Sequence, residues 1–206
     1  MIDRTRTAAT IALVLTIAAC DGDTRARASS LALAQSSTPE LQSDADSTIA
    51  AGLVRFRTDL IEPRGFEGAA TTFDGLIERF IRALETADTA AFAPMMITRS
   101  EYAWLYYPYT RYTKAPYTMD PEVLWMLLVQ NSEKGITRAL REYGARPLGY
   151  AGYQCSTEPA EVGANRLWDG CRVTLGIESG AAGVRLFGVI LERDGRFKFL
   201  SYSNDL

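Results

Sequence analysis

The chain has 206 residues, 47% of them hydrophobic and 23% charged, with a formal net charge of −3 and no histidine. That length suffices for one domain with a real core, and the mild acidity argues against nucleic acid or anionic headgroups as partners. Without histidine there is no Ser-His-Asp or Cys-His nucleophile system, no imidazole base and no His-containing zinc site.

Arg4 and Arg6 precede an apolar run from Ala8 to Ala19. The run is too short for a bilayer, which needs about 20 apolar residues, and has the size of a signal-peptide core. Ile17-Ala18-Ala19-Cys20 resembles the bacterial lipobox. The resemblance implies that residues 1–19 are a lipoprotein signal peptide and that Cys20 receives the lipid, a diacylglyceryl group with a further acyl chain such as palmitate. The expected partner is then a bacterial membrane, reached through that N-terminal lipid, since several acyl chains anchor stably. The expected place is the cell envelope, facing the periplasm or the exterior. Asp21 resembles an inner-membrane retention signal. Loss of residues 1–19 removes Arg4, Arg6 and Asp3, leaving a net charge near −4.

From Asp21 to about Asp46 the chain is rich in Ser, Thr, Ala, Asp and Gln and has no aromatic residue. Such a segment buries too little to offset its ordering entropy, so residues 20–46 read as lipidated cysteine and tether, and residues 47–206 as a single domain. The apolar segment from Ile49 to Ile61 suits a short helix ending before Pro63, although Gly52 and the β-branched residues speak against one.

Phe73, Leu76, Ile77, Phe80, Ile81 and Leu84 lie on one face of a 3.6-residue helix. Thr71 with Asp74 is an approximate capping box for it. Asp88 can cap a second short helix through about Phe92. Thr98 and Glu101 have capping-box spacing, which predicts a helix over Arg99–Tyr107 that Pro108 ends. Asp120-Pro121-Glu122 starts a long helix running to about Tyr143, with Gly144 as its C-cap. Its first half, VLWMLLV, is apolar nearly all round and is expected to be the more deeply buried half. Gly135 permits a bend or a close contact.

The stretch EYAWLYYPYTRYTKAPY, Glu101–Tyr117, holds six of the ten tyrosines. At helical spacing Tyr102, Leu105 and Tyr106 share a core-facing stripe with Tyr109 just beyond. Trp104, Tyr107, Tyr112 and Tyr117 point elsewhere or lie in the following loop, and with Trp125 they are the candidate binding residues. Arg111 and Lys114 interleave with rings as on a nucleic-acid surface; an exported address makes sugar stacking or partner docking the better functional reading, and the favoured expectation is structural, rings covering the core with hydroxyls at the surface.

After Pro147 the period becomes two. Leu148–Cys155, Leu167–Ile177, Val184–Arg193 and Arg196–Tyr202 are strand candidates, and Asp194-Gly195 joins the last two as a hairpin turn. A four-strand antiparallel meander is the simplest arrangement. Cys155 and Cys171 then face each other on the first two strands and can form a structural disulfide.

GLIERFIRALETADTAAFAPMM resembles the opening of NTF2-like domains, the cone-shaped fold of SnoaL-like and ketosteroid-isomerase-like proteins, and GVRLFGVILERDGRFKFLSYSND resembles their final hairpin. The chain is also similar in layout to uncharacterised bacterial lipoproteins. The implied fold is α+β, N-terminal helices packed on a curved antiparallel sheet of about four strands. The family's aspartate base and tyrosine donor have no matching positions here, and no catalytic residue is carried over.

No metal or cofactor motif stands out. Two cysteines beside Cys20 are too few for an all-cysteine zinc or iron–sulfur site, there is no P-loop, and Gly149 and Gly152 make no dinucleotide fingerprint. Glu158 and Glu161 fall in an expected loop, and Glu78 and Glu85 off the apolar stripe, where solvation is expected. The expectation is a binding or accessory domain for a small apolar ligand or an envelope protein. An enzyme working with Asp, Glu and Tyr, or a purely structural envelope component, are the alternatives.

Overall fold

The computed structural model describes residues 39–155, 158–177 and 183–206. The signal peptide, Cys20 and the tether up to residue 38 lie outside the described residues. Helix α1 spans Pro39–Phe56, so residues 39–46, read from composition as tether, are helical. Helix α2 spans Phe73–Glu85 and is capped by Thr72, whose hydroxyl accepts from the Gly75 amide, one position later than the expected Thr71. Its stripe is buried as expected, from Leu76 to Leu84. Asp88 caps a 3₁₀ turn, Thr89–Ala91, that runs into the short helix α3, Phe92–Met95. Glu85, expected to be solvated, instead accepts the Leu148 amide at 2.8 Å and ties the end of α2 to the chain entering the sheet region.

The Thr98–Glu101 capping box forms and starts α4, Arg99–Glu101. The chain then widens into a π-turn over Tyr102–Tyr106 and tightens to 3₁₀ geometry over Tyr107–Tyr109. Helix α5, Pro121–Tyr143, starts at the Asp120 cap and ends at Gly144. Its burial is the reverse of the expectation. Val123, Met126 and Leu127 are exposed, whereas Ser132, Gly135, Ala139 and Tyr143 are buried. The first half has neighbours on one side only, where Leu124, Trp125 and Leu128 meet Phe56 and Tyr102. In the second half small side chains let the C-terminal segment lie directly on the helix. Among the described residues no helix is long and apolar enough to cross a membrane.

The fold is α+β, and its antiparallel strands form two sheets rather than one meander. Strand β1 (Tyr150–Gln154) pairs with β4 (Arg172–Leu175). Strands β2 (Ala160–Val162), β3 (Asn165–Trp168), β5 (Ile190–Arg193) and β6 (Arg196–Phe199) follow in that order in the second sheet. The expected strand Leu167–Ile177 is split, because Gly170 at φ 62° turns the chain out of one sheet and into the other. Glu161, expected in a loop, sits in β2. Asp194 and Gly195, at φ 51° and 68°, make the expected tight hairpin between β5 and β6. Cys155 and Cys171 form the expected disulfide, just beyond the Gln154–Arg172 pair.

The larger sheet separates two apolar clusters. Alternation along the strands sends Trp168, Ile190, Phe197 and Phe199 toward α2, α3 and α5, where Leu76, Phe80 and Phe187 pack. It sends Leu167, Leu191 and Leu200 to the other face, against the tyrosine-rich segment and α1. Lys198 also points to that second face and is buried there. Its ammonium donates to both Glu101 oxygens at 2.9 Å, and the same oxygens accept the Glu67 and Thr98 amides at 2.7 Å.

Candidate functional site

The tyrosine-rich segment is mostly core. Tyr102, Tyr106 and Tyr107 are buried, and their hydroxyl contacts stay inside the fold: Tyr102 donates to the Pro121 carbonyl at 3.3 Å and Tyr107 to the Met119 carbonyl at 2.6 Å. Tyr107 therefore departs from the expectation that it faces away. On an α-helix it would stand about 140° from Tyr102. The π-turn, closed by the Tyr107 amide on the Tyr102 carbonyl, adds a residue to that turn and brings both rings to one side. The same displacement leaves Tyr109, expected on the core stripe, exposed.

The other candidates are dispersed. Trp104 is half-buried under the Arg57 guanidinium, 4.8 Å from its ring, and Trp125 packs on Tyr102 at 5.1 Å. Tyr112 is half-buried and Tyr117 exposed, each 5.2 Å from the Arg111 guanidinium.

Burial, with the neighbouring Tyr112 hydroxyl, pushes the Tyr106 phenol up to about 12, and burial with Asp120 does the same for Tyr107. Burial raises Tyr102 further. An unfolded chain ionises these phenols near 10. The stability they lend is thus whole below pH 10 and lost as pH rises through 12. An alkaline titration followed by tyrosinate absorbance should show this group ionising together with unfolding. Full ionisation near pH 10 in a chain still folded by circular dichroism would contradict it.

A different cleft brings polar chemistry and rings together. Its floor follows from register. Arg166, Glu192 and Phe197 stand side by side across β3, β5 and β6, one row beyond half-buried Trp168 and buried Ile190 and Phe199. The core face of the sheet here runs past the start of α2. Ala70 pairs with Phe197 in an isolated bridge, which brings Phe73, the first residue of α2, over the row. Tyr153 of β1 closes the opposite side. Phe73 is the hub, stacked on Tyr153 at 4.9 Å and edge-on to Trp168 at 5.4 Å and Phe197 at 5.7 Å. Gln154 and Cys155 complete an open cleft of about 480 Å³.

The polar wall is a charged pair held by an indole. Arg166 Nη1 lies 3.1 and 3.3 Å from the Glu192 oxygens, Trp168 Nε1 donates to Glu192 Oε2 at 3.2 Å, and the guanidinium sits 5.3 Å from the Trp168 ring centre. On the other wall burial, then the Asp74 carboxylate that accepts its hydrogen bond, pushes the Tyr153 phenol up to about 12. A second, more apolar groove of about 410 Å³ lies between α3 and α5, lined by Phe92, Met96, Val129, Ile136 and Leu140. Its polar lining is Thr89, Ser132, Glu133 and Thr137, with no ion pair across it among the described residues.

Family models, curated proteins and solved structures contain no match to this chain.

The sequence marks Phe73 as part of the α2 stripe and Cys155 as a disulfide partner, and none of the cleft residues is among the sequence-predicted binding residues. One signal was present. The Asp194-Gly195 turn alone puts Glu192 opposite Phe197, and Arg166 and Trp168, two apart, must share a face of their strand.

Proposed function

We propose that the chain is a membrane-anchored extracytoplasmic binding domain that holds a small ring-bearing ligand in the cleft between Phe73, Tyr153, Trp168 and Phe197. The observation that carries this reading is the combination in one open cleft of four convergent rings with a single oriented ion pair, the makeup of small-molecule sites, which are largely apolar with few placed polar groups. The Ile17–Cys20 lipobox-like sequence supports the anchor. The NTF2-like likeness belongs to the same proposal, supported by the order of α2, short link and α3 and by the packing of the β5–β6 hairpin against α2.

Small aromatic compounds should raise the melting temperature of the full chain, and Trp168→Ala should remove the shift. Cys20→Ala should release the chain from membranes. If no aromatic or glycan compound shifts melting, a purely structural envelope role takes the place of binding. If the Cys20→Ala chain stays with salt-washed membranes, the anchor is elsewhere.

A further inference from the structure

We propose that the cleft selects a small aromatic carboxylate, the ring entering among Phe73, Tyr153, Trp168 and Phe197 and the acid taken by the free edge of Arg166. The inference rests on the reading of this cleft as a binding site. Arg166 is held from two directions, by Glu192 through Nη1 and by the Trp168 ring, whose centre is 5.3 Å from the guanidinium carbon. Its Nη2 and Nε make no hydrogen bond to any described residue, and 48% of its side chain remains exposed. Glu192, by contrast, is 15% exposed, and its carboxylate already accepts from Arg166 and Trp168. The acid of the pair is therefore spent on orientation and the base is left with donors to offer. A guanidinium presents donors in a rigid fork that matches a planar carboxylate, and one fixed in advance loses little entropy on meeting it.

Neutral and cationic ligands fit less well. A neutral ring would bury its body among the aromatics and leave the arginine donors to water. A cation would have to displace Arg166 from both Trp168 and Glu192. The volume of about 480 Å³ is ample for a single substituted ring.

Calorimetric titration of the full chain with phenylacetate, phenylacetamide and phenethylamine separates the cases. Phenylacetate should bind about tenfold more tightly than the amide, the worth of a charge-assisted hydrogen bond, and the amine should bind weakest. Arg166→Gln should bring phenylacetate down to the amide's affinity, while Arg166→Lys, which keeps charge without the fork, should lie between. Equal binding of acid and amide, or tightest binding of the amine, overturns the carboxylate inference and leaves the cleft standing as a binding site. Binding by none of the three overturns both. Should the variants fold poorly, the ratio of acid to amide in the unaltered chain still decides.

Discussion

Lys198→Met should destabilise the domain by about 3–5 kcal/mol in a urea unfolding experiment, the cost of leaving one partner of a buried ion pair uncompensated. Both partners are 1% exposed, so neither charge can turn to solvent. Pairs of this kind can often be exchanged for apolar residues with little loss, but not here. The Glu101 carboxylate also receives the Glu67 and Thr98 amides, and an apolar side chain would orphan both. Lys198→Met combined with Glu101→Leu should therefore remain well below the unaltered chain in stability. The Arg99–Glu122 pair is a control of the same chemistry. With side chains 42% and 56% exposed, its removal should cost no more than about 1 kcal/mol. A loss for Lys198→Met as small as that would show that the buried pair does not hold the sheet to the tyrosine-rich layer.

Gly135→Ala should destabilise the protein by more than about 2 kcal/mol, although helix propensity taken alone predicts a gain of about 1 kcal/mol. A β-carbon at this position would stand 1.9 Å from the Tyr202 carbonyl oxygen and 2.7 Å from its carbon. Backbone has to move, and this backbone is tied on every side. The Tyr202 amide donates to Ser132 Oγ at 3.1 Å, Asn204 Nδ2 donates to the Gly135 carbonyl at 2.9 Å, and Arg138 donates to the Asn204 carbonyl at 3.1 Å. Thermal melting would report the loss, and amide exchange should quicken first around Tyr202–Asn204. A stabilised Gly135→Ala chain would mean that the C-terminal segment does not rest on α5.

Local signals read from sequence survive in the structure because they depend on near neighbours. The α2 stripe, the Thr98–Glu101 box, the Asp120 cap, the Asp194-Gly195 turn and the disulfide pairing are all of this kind. What was not legible depends on distant chain. VLWMLLV is apolar, yet its burial is set by what happens to lie beside it, and Val123, Met126 and Leu127 stay exposed. Lys198 sits between two phenylalanines and gives no hint of Glu101, 97 residues earlier. The split of the sheet hangs on one glycine. The cleft was half legible, since hairpin register placed two of its residues, but only the tertiary fold brings Phe73 and Tyr153 over them.

The π-turn at Tyr102–Tyr106 makes chain length, rather than residue type, decide which rings go inside. Tightened to α-helical spacing with every residue kept, the segment would have the same composition and a different inside. Tyr107 would swing toward solvent, Tyr109 would move toward the core, and the hydroxyl that now holds Met119 would no longer set the approach to α5. In this stretch an added residue works like a spacer in a mechanism, and a phase error of one position would reassign every ring downstream of it.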